Sequence, residues 1–558
     1  MDQSMSHVIF LLAFVSVVAG NPLYLSWRED FLTEDLSSAI GSNTPLEGKE
    51  WAVNDVLMRL KDEEIQKGRE TSVYPPNMHF FHAKPFIDQS KVFEIIKLMP
   101  KGAVLHIHDN AIADINWLIK NATYRPHCYM CFTHDRGALL FQFAEDQPTD
   151  NSTCEWKLVA TERETSGNVD EFDKRLYDTI SLIDDEPHTA YSSQHEVWTY
   201  FNDYFATVDG LVFYADVFED YYRQGLKEFY DDGVQFMEVR ALLQPIYELN
   251  GTKYDSEYTL QRYEDANRDF LKTYQDSMGS KIIFTSLRIL DKPTIESVVN
   301  TAIQLRQKYP HFMVGFDLVA QEDAGRPLVF YLDELLIPSD RGEELPYYFH
   351  AGETNWQGVE TDENLIDALM LNSSRLGHAY GAIKHPSVLK KIKERNIPIE
   401  VNPISSQVLK HFDDIRNMPA AYLIAEGYPV VIGSDDPVVW GATPISHDYY
   451  EVFMGVASAR SDLRLLKQLT VDSIRYSALA GSEEQQCMDL WAEKWQIFLD
   501  KVLDMYNITD WERYVPTPGP TTPPIQPVTT GGASMQINDV NIVRLFTVFT
   551  LLVMMIAC

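Results

Sequence analysis

The stretch KGAVLHIHDN, Lys101–Asn110, ends an apolar run with two histidines one residue apart and follows them with an aspartate. Alternate side chains of a strand share a face, so His106 and His108 point one way and Ile107 the other. Two imidazoles placed like this can chelate a metal, or can be ordinary polar residues leaving a core. Three further apolar runs close in the same manner: His350 and Glu353 in FHAGET, His378 in RLGHAY, and Asp435 with Asp436 in GSDDP. His106, His108, His350 and Asp435 form a ligand set suited to one divalent zinc ion, with a position left for water. Such an ion brings the pKa of bound water close to neutral. Glu353 can carry a proton where burial raises its pKa. His378 can orient and deprotonate the water. Adjacent carboxylates point to different sides, so Asp435 can bind metal while Asp436 faces a substrate. Taken singly, each residue has a plainer explanation: a histidine bonded to backbone, a carboxylate at a helix start, a capping pair before Pro437. Together those explanations require four coincidences at equivalent positions.

Positioning such residues requires strand ends that converge. Eight short β-rich runs pass along the chain: AVLHIH, VQFMEVRA, KIIFTSLR, MVGFDLVA, YYFHAGE, RLGHAY, IPIEVNPIS and PVVIGSDD. Helix-like segments lie between them, such as Thr294–Tyr309 with apolar residues at helical spacing. Eight strands alternating with helices predict an α/β fold, a (β/α)8 TIM-type barrel, whose chemistry belongs at the C-terminal ends of its strands. The barrel is assigned to residues 99–120 and 181–512. An N-terminal helical region, 21–98, precedes it, and an insertion with three cysteines, 121–180, follows its first strand.

The 558 residues carry a formal net charge of −35, which argues against a nucleic-acid partner because phosphate binding needs clustered Lys and Arg. Residues 1–20 read as a signal peptide, with an apolar run Val8–Val18 before small residues at Ala19 and Gly20. Five N-x-[ST] sequons, at Asn121, Asn151, Asn250, Asn372 and Asn507, accord with passage through the secretory pathway. In a secreted chain the Cys128-x-x-Cys131 cluster favours a disulfide over metal or redox work. We pair Cys131 with Cys154 and leave Cys128 and Cys487 unassigned. Residues 513–530 are a Pro/Thr-rich stalk. Residues 531–558, with small residues, a polar spacer and a terminal apolar run, have the pattern of a GPI-attachment signal; a short tail-anchoring helix is the alternative.

The motifs HIHD, FHAGET, RLGHAY and SDDP, in this order, resemble the adenosine deaminase superfamily, and its secreted branch of adenosine deaminase-related growth factors in particular. The resemblance runs from about residue 30 to residue 505 and includes MPKGAVLHIHDNA, NATYRPHCYMCFT, KEFYDDGVQFMEVRA and DALMLNSSRLGHA. It implies that His106, His108, His350 and Asp435 hold zinc, that Glu353 protonates purine N1, and that His378 helps activate the water. It also implies that Asp436 meets the purine at N7, that Trp198 contacts substrate near the pocket mouth, and that Asp109 faces the substrate side. The reaction implied is hydrolysis of adenosine or 2′-deoxyadenosine to inosine and ammonia. The N-terminal helices resemble the family's homodimerisation element. The cysteine insertion resembles its receptor-binding domain, for a cell-surface receptor or glycan. Two positions depart from the family: Ala320 stands where a glycine lets backbone approach purine N3, and Leu287 where secreted members carry histidine. These departures keep open a growth-factor-like binding protein with weak turnover, or a hydrolase of another 6-aminopurine nucleoside.

Overall fold

The structure, a computed structural model, describes residues 22–149 and 152–516. The signal peptide, Asn151, the stalk beyond residue 516 and the C-terminal tail lie outside the described residues. The strands are β1 (Gly102–Val104), β2 (Cys128–Phe132), β3 (Leu139–Phe143), β4 (Lys157–Leu158), β5 (Val234–Ala241), β6 (Gly279–Leu287), β7 (Met313–Val319), β8 (His350–Ala351), β9 (Leu376–His378), β10 (Ile399–Val401) and β11 (Val430–Ile432).

Eight of these fall on the eight apolar runs and form the barrel. Parallel pairing gives the order β1-β5-β6-β7 and, separately, β8-β9-β10-β11. A parallel bridge from Phe316 to Tyr347 joins the two arcs on one side, and one from Ile107 to Asp435 closes the ring. β5, β6 and β7 are buried almost throughout, because helices cover one face and the barrel interior covers the other. The closing seam carries chemistry: the Asp435 amide donates to His106 O at 3.1 Å and the His108 amide to Asp435 O at 3.2 Å. Closure of the barrel therefore brings the first and last strand ends together.

The helix predicted over 294–309 spans Lys292–Lys308. It starts earlier because Asp291 caps it, accepting from the Thr294 amide at 3.0 Å, with proline in the first turn and Arg306 and Lys308 in the last. In the N-terminal region, helix Glu50–Thr71 buries Val53, Val56, Leu57 and Leu60 along one face. Its Glu50 carboxylate accepts from Trp495 Nε1 at 2.7 Å and pairs with Lys467 at 2.8 Å, which fastens it to the helix Ser482–Met505 and its neighbour.

In the insertion, β2 pairs antiparallel with β3 and β4. Cys131 and Cys154 form the predicted disulfide, with 5.7 Å between Cα atoms, while Cys128 and Cys487 are buried thiols. Helix Gln194–Val212 packs on β3 so closely that a Cβ on Gly210 would lie 1.8 Å from Phe141 O. Thr207 Oγ1 donates to Leu139 O at 2.6 Å across the same contact. The exposed side chains Asn121, Asn250, Asn372 and Asn507 are those of the other four sequons.

Candidate metal centre and active site

His106, His108, His350, His378 and Asp435 converge at the C-terminal mouth of the barrel. Ligand atoms of His106, His350, His378 and Asp435 lie within 4.8 Å of one another, and those of His108, Asp435 and Asp436 form a second such set. The predicted set had His108 beside His106 and His350. His108 lies beside both, its ring 5.6 Å from that of His106 and 5.5 Å from that of His350, with its Nε2 3.1 Å from Asp435 Oδ1 and His106 Nε2 3.3 Å from the same oxygen. His378 Nε2 is 3.9 Å from Asp435 Oδ2, which accepts from Ser405 Oγ at 2.6 Å.

The donor set fits a divalent ion on a specific observation. His106 is fully buried, its Nδ1 is tied to Glu400 at 2.7 Å, and its Nε2 has no hydrogen-bond partner. His350 repeats the arrangement, with Nδ1 held by Asp317 at 2.7 Å. A carboxylate behind each ring fixes the ring and turns Nε2 towards the common centre, the usual support of a histidine–metal bond.

That support rests on charges buried inside the barrel. Arg240 donates to Asp317 at 2.9 Å and to Glu400 at 2.7 Å, and Arg375 donates to Glu400 and Glu238, each at 2.6 Å. Burial raises Glu400, but Arg240 and Arg375 overcome it and hold the carboxylate well below its ordinary range. None of Glu400, Asp317, Arg240 and Arg375 was among the predicted site residues. Their signal was a charge set inside an apolar run, as in FMEVRA, GFDLVA and PIEVNP.

Glu353 follows β8 in a tight turn at Gly352, whose φ is +78°. The carboxylate of Glu322 accepts from the amides of Gly352 (3.1 Å) and Glu353, and Arg288 anchors Glu322 at 3.1 Å. The expectation that burial lifts the Glu353 pKa is half met. Burial does raise it, but His378 and His411 draw it down further, and the net position is below the ordinary glutamate value. Glu353 therefore rests as a carboxylate. His378 Nδ1 is 3.8 Å from its Oε1 and 2.9 Å from Tyr380 OH. Burial lowers the His378 imidazole to about 3, which leaves it a neutral base at neutral pH. Asp436 moves the other way: burial, then the neighbouring Asp435 charge, raise it well above the ordinary value.

A cavity of about 490 Å³ opens above these groups, within the range of small-molecule sites. His108, Glu353, His378, Asp435 and Asp436 face it, as do Asp109, Trp198 and Ala320. Tyr263 OH donates to Asp109 Oδ2 at 2.6 Å, and burial raises that carboxyl to about 7. Trp198, with Phe201, supplies an aromatic wall. Leu287 also lines the cavity, so both departures from the family pattern touch the space a substrate would fill. His411 and Tyr380, which sequence reading passed over, stand directly behind Glu353 and His378.

A TIM-type barrel with a histidine–aspartate cluster and a buried carboxylate at its mouth is the architecture of a metal-site hydrolase. The chain belongs to the adenosine deaminase family: the Adenosine deaminase model matches residues 179–494, and the Adenosine/AMP deaminase N-terminal model matches residues 19–96. Adenosine deaminase 2 of Pongo abelii is 44% identical, over 88% of this chain and 96% of its own length. Adenosine deaminase 2 of Sus scrofa is 45% identical over 85% and 93%, and an adenosine deaminase of Lutzomyia longipalpis 42% identical over 86% and 93%. Among solved structures, the Arabidopsis N6-mAMP deaminase MAPDA shares the fold, with a TM-score of 0.52 and 17% identity over 72% of this chain and 99% of that one.

Proposed function

We propose that this enzyme is an extracellular zinc-dependent adenosine deaminase that converts adenosine and 2′-deoxyadenosine to inosine and ammonia, and so limits adenosine signalling. The observation that carries the reading is the buried His106 Nε2, which has no hydrogen bond among the described residues and gathers with ligand atoms of His350, His378 and Asp435 within 4.8 Å of one another. His106, His108, His350 and Asp435 would hold zinc, and bound there the ion supplies activation of water near neutral pH.

The chain's own groups account for the proton traffic. His378, neutral through burial, takes a proton from the attacking water. Glu353, whose Oε1 is 3.8 Å from His378 Nδ1, takes up a solvent proton as substrate enters and passes it to ring N1, which makes C6 the electron-poor carbon that water attacks. The proton held by His378 then goes to the C6 amino group, the C6–N bond breaks with loss of ammonia, and the hydroxyl proton returns to the Glu353 carboxylate as the C6 carbonyl forms. Asp436 faces the ring edge at N7. Trp198 and Phe201 exclude solvent, which strengthens each of these polar contacts. Asp109, buried and bonded to Tyr263, offers a carboxyl to the sugar side.

The leader and sequons support export, the terminal pattern supports a GPI anchor, and the match of residues 19–96 to the Adenosine/AMP deaminase N-terminal model supports a homodimer built through the N-terminal helices, 21–98. The disulfide-pinned sheet within 121–180 is the element proposed to meet a receptor or glycan. Ala320 and Leu287 at the cavity support one second reading, a preference for another 6-aminopurine nucleoside; comparing adenosine with 2′-deoxyadenosine and 6-amino analogues separates the two.

The primary test is conversion of adenosine to inosine by purified protein, with zinc measured on the same sample. Glu353→Gln should keep stoichiometric zinc and lose turnover by at least about a hundredfold, the scale of a general-acid contribution. Near-normal activity in that variant would remove Glu353 from the mechanism.

A further inference from the structure

His411 reaches the active site by an unusual chain reversal. The helix Pro403–Val408 ends with the Lys410 amide bonded to Gln407 O at 3.0 Å and the His411 amide bonded to Ser406 O at 2.9 Å. This double bond pattern places Lys410 where glycine ordinarily sits, and Lys410 adopts φ +63°. A lysine held in that strained region, next to a cavity, marks a place where the following side chain is being aimed.

The following side chain is His411, 2% exposed. Its Nε2 lies 3.3 Å from Glu353 Oε1, an ion-pair distance, and neither atom meets a hydrogen-bond partner in full geometry among the described residues. The opposite nitrogen, Nδ1, faces Gln194 Nε2 at 3.4 Å. An amide nitrogen only donates, so Nδ1 accepts, and in the neutral ring the proton sits on Nε2, the nitrogen nearer Glu353. The Tyr380 ring packs 5.6 Å from the imidazole and prevents it from tilting away, while its hydroxyl serves His378.

We infer that His411 is a positioning residue for Glu353, its Nε2–H holding Oε1 so that the carboxyl stays in the orientation needed to deliver a proton to the substrate ring. The other neighbours hold it less closely: Glu322 fixes the Glu353 backbone amide, and His378 Nδ1 stands 3.8 Å from Oε1. A carboxyl free to rotate spends most of its time outside the reactive geometry, and misplacement of this kind lowers turnover on the order of a hundredfold at most. The inference rests on Glu353 being the proton-transfer group.

The test compares His411→Leu, which keeps volume and removes the donor, with His411→Gln, whose amide N–H reaches the same oxygen. In full-length, metal-loaded protein, His411→Leu should lower kcat by about ten- to a hundredfold with KM changed no more than about twofold. His411→Gln should recover most of the lost kcat. Wild-type kcat in His411→Leu, or a folded His411→Gln as slow as the leucine variant, would overturn the inference. A second readout needs no turnover: in equilibrium unfolding, His411→Leu and Glu353→Ala should couple rather than add. Strict additivity would also overturn it. A parent protein inactive on adenosine yet showing that coupling would fault the substrate reading and leave the His411–Glu353 pairing standing.

Discussion

Several residues at or beside the cavity are held in the left-handed region of the backbone. Ala320, His378, Ala379, Lys410 and Asp435 all have φ between +50° and +82°. Aspartate and histidine tolerate that region better than most residues, but alanine and lysine gain nothing from it. Ala320 is the informative case, since the family resemblance called for glycine there and the backbone has kept the glycine conformation (φ +82°) around a methyl group. Ala320→Gly removes a steric penalty of about 1–2 kcal/mol and adds about 0.5–1 kcal/mol of unfolded-state entropy cost. The expected net result is a gain of up to about 1.5 kcal/mol in unfolding free energy, together with a lower KM for adenosine because the cavity wall recedes. Loss of stability in chemical denaturation would show that the methyl packs favourably and that the strain argument fails. The zinc-type residues were legible in the sequence because polar side chains ending apolar runs have few other reasons to recur. Glu400, Arg240 and Asp317 were not, since a charge inside a strand looks the same whether it faces a barrel interior or a flaw in the pattern.

Short, strongly apolar strands and capped helices were the elements easiest to read, and the three-stranded insertion shows where reading stops. Its disulfide closes a loop across 23 residues of sequence separation. The entropy of that closure gives about 3 kcal/mol of stabilisation. Replacing both Cys131 and Cys154 by serine should cost roughly that amount locally, seen as earlier protease cleavage within β2–β4. Adenosine turnover should persist, because the cavity-lining helix Gln194–Val212 is also held to the barrel mouth by Tyr204 OH, which donates to Asn110 O at 2.9 Å. Turnover falling in step with cleavage would mean that the sheet props the Trp198 wall directly. Nothing in the local sequence announced that β3 would press on Gly210, because the contact joins segments some seventy residues apart.

Across the whole molecule, the N-terminal helices act as a clamp on the barrel, and one buried lysine makes that clamp sensitive to pH. Lys61 is fully buried in helix Glu50–Thr71 and donates to Ser458 O at 3.1 Å and Ser461 O at 2.8 Å. Burial lowers its pKa from 10.5 to about 7. A base depressed in the folded state binds fewer protons there than when unfolded, so stability rises with pH between the two values. Relative to Lys61→Met, the wild-type protein should gain stability from pH 7 upwards towards 10.5, with the difference flat below pH 7. A pH-independent difference in unfolding midpoint would show that Lys61 stays charged in its carbonyl cage. The sequence by itself determined the eight-strand periodicity, the polar strand ends and the metal-binding chemistry, because these follow from side-chain type and short-range spacing. Only the tertiary structure decided how His378 joins the histidines around Asp435, which buried charges hold the rings, that Glu353 rests ionised, and that His411 reaches it. Those facts depend on barrel closure and on burial, which set distances and dielectric surroundings between residues that are remote along the chain.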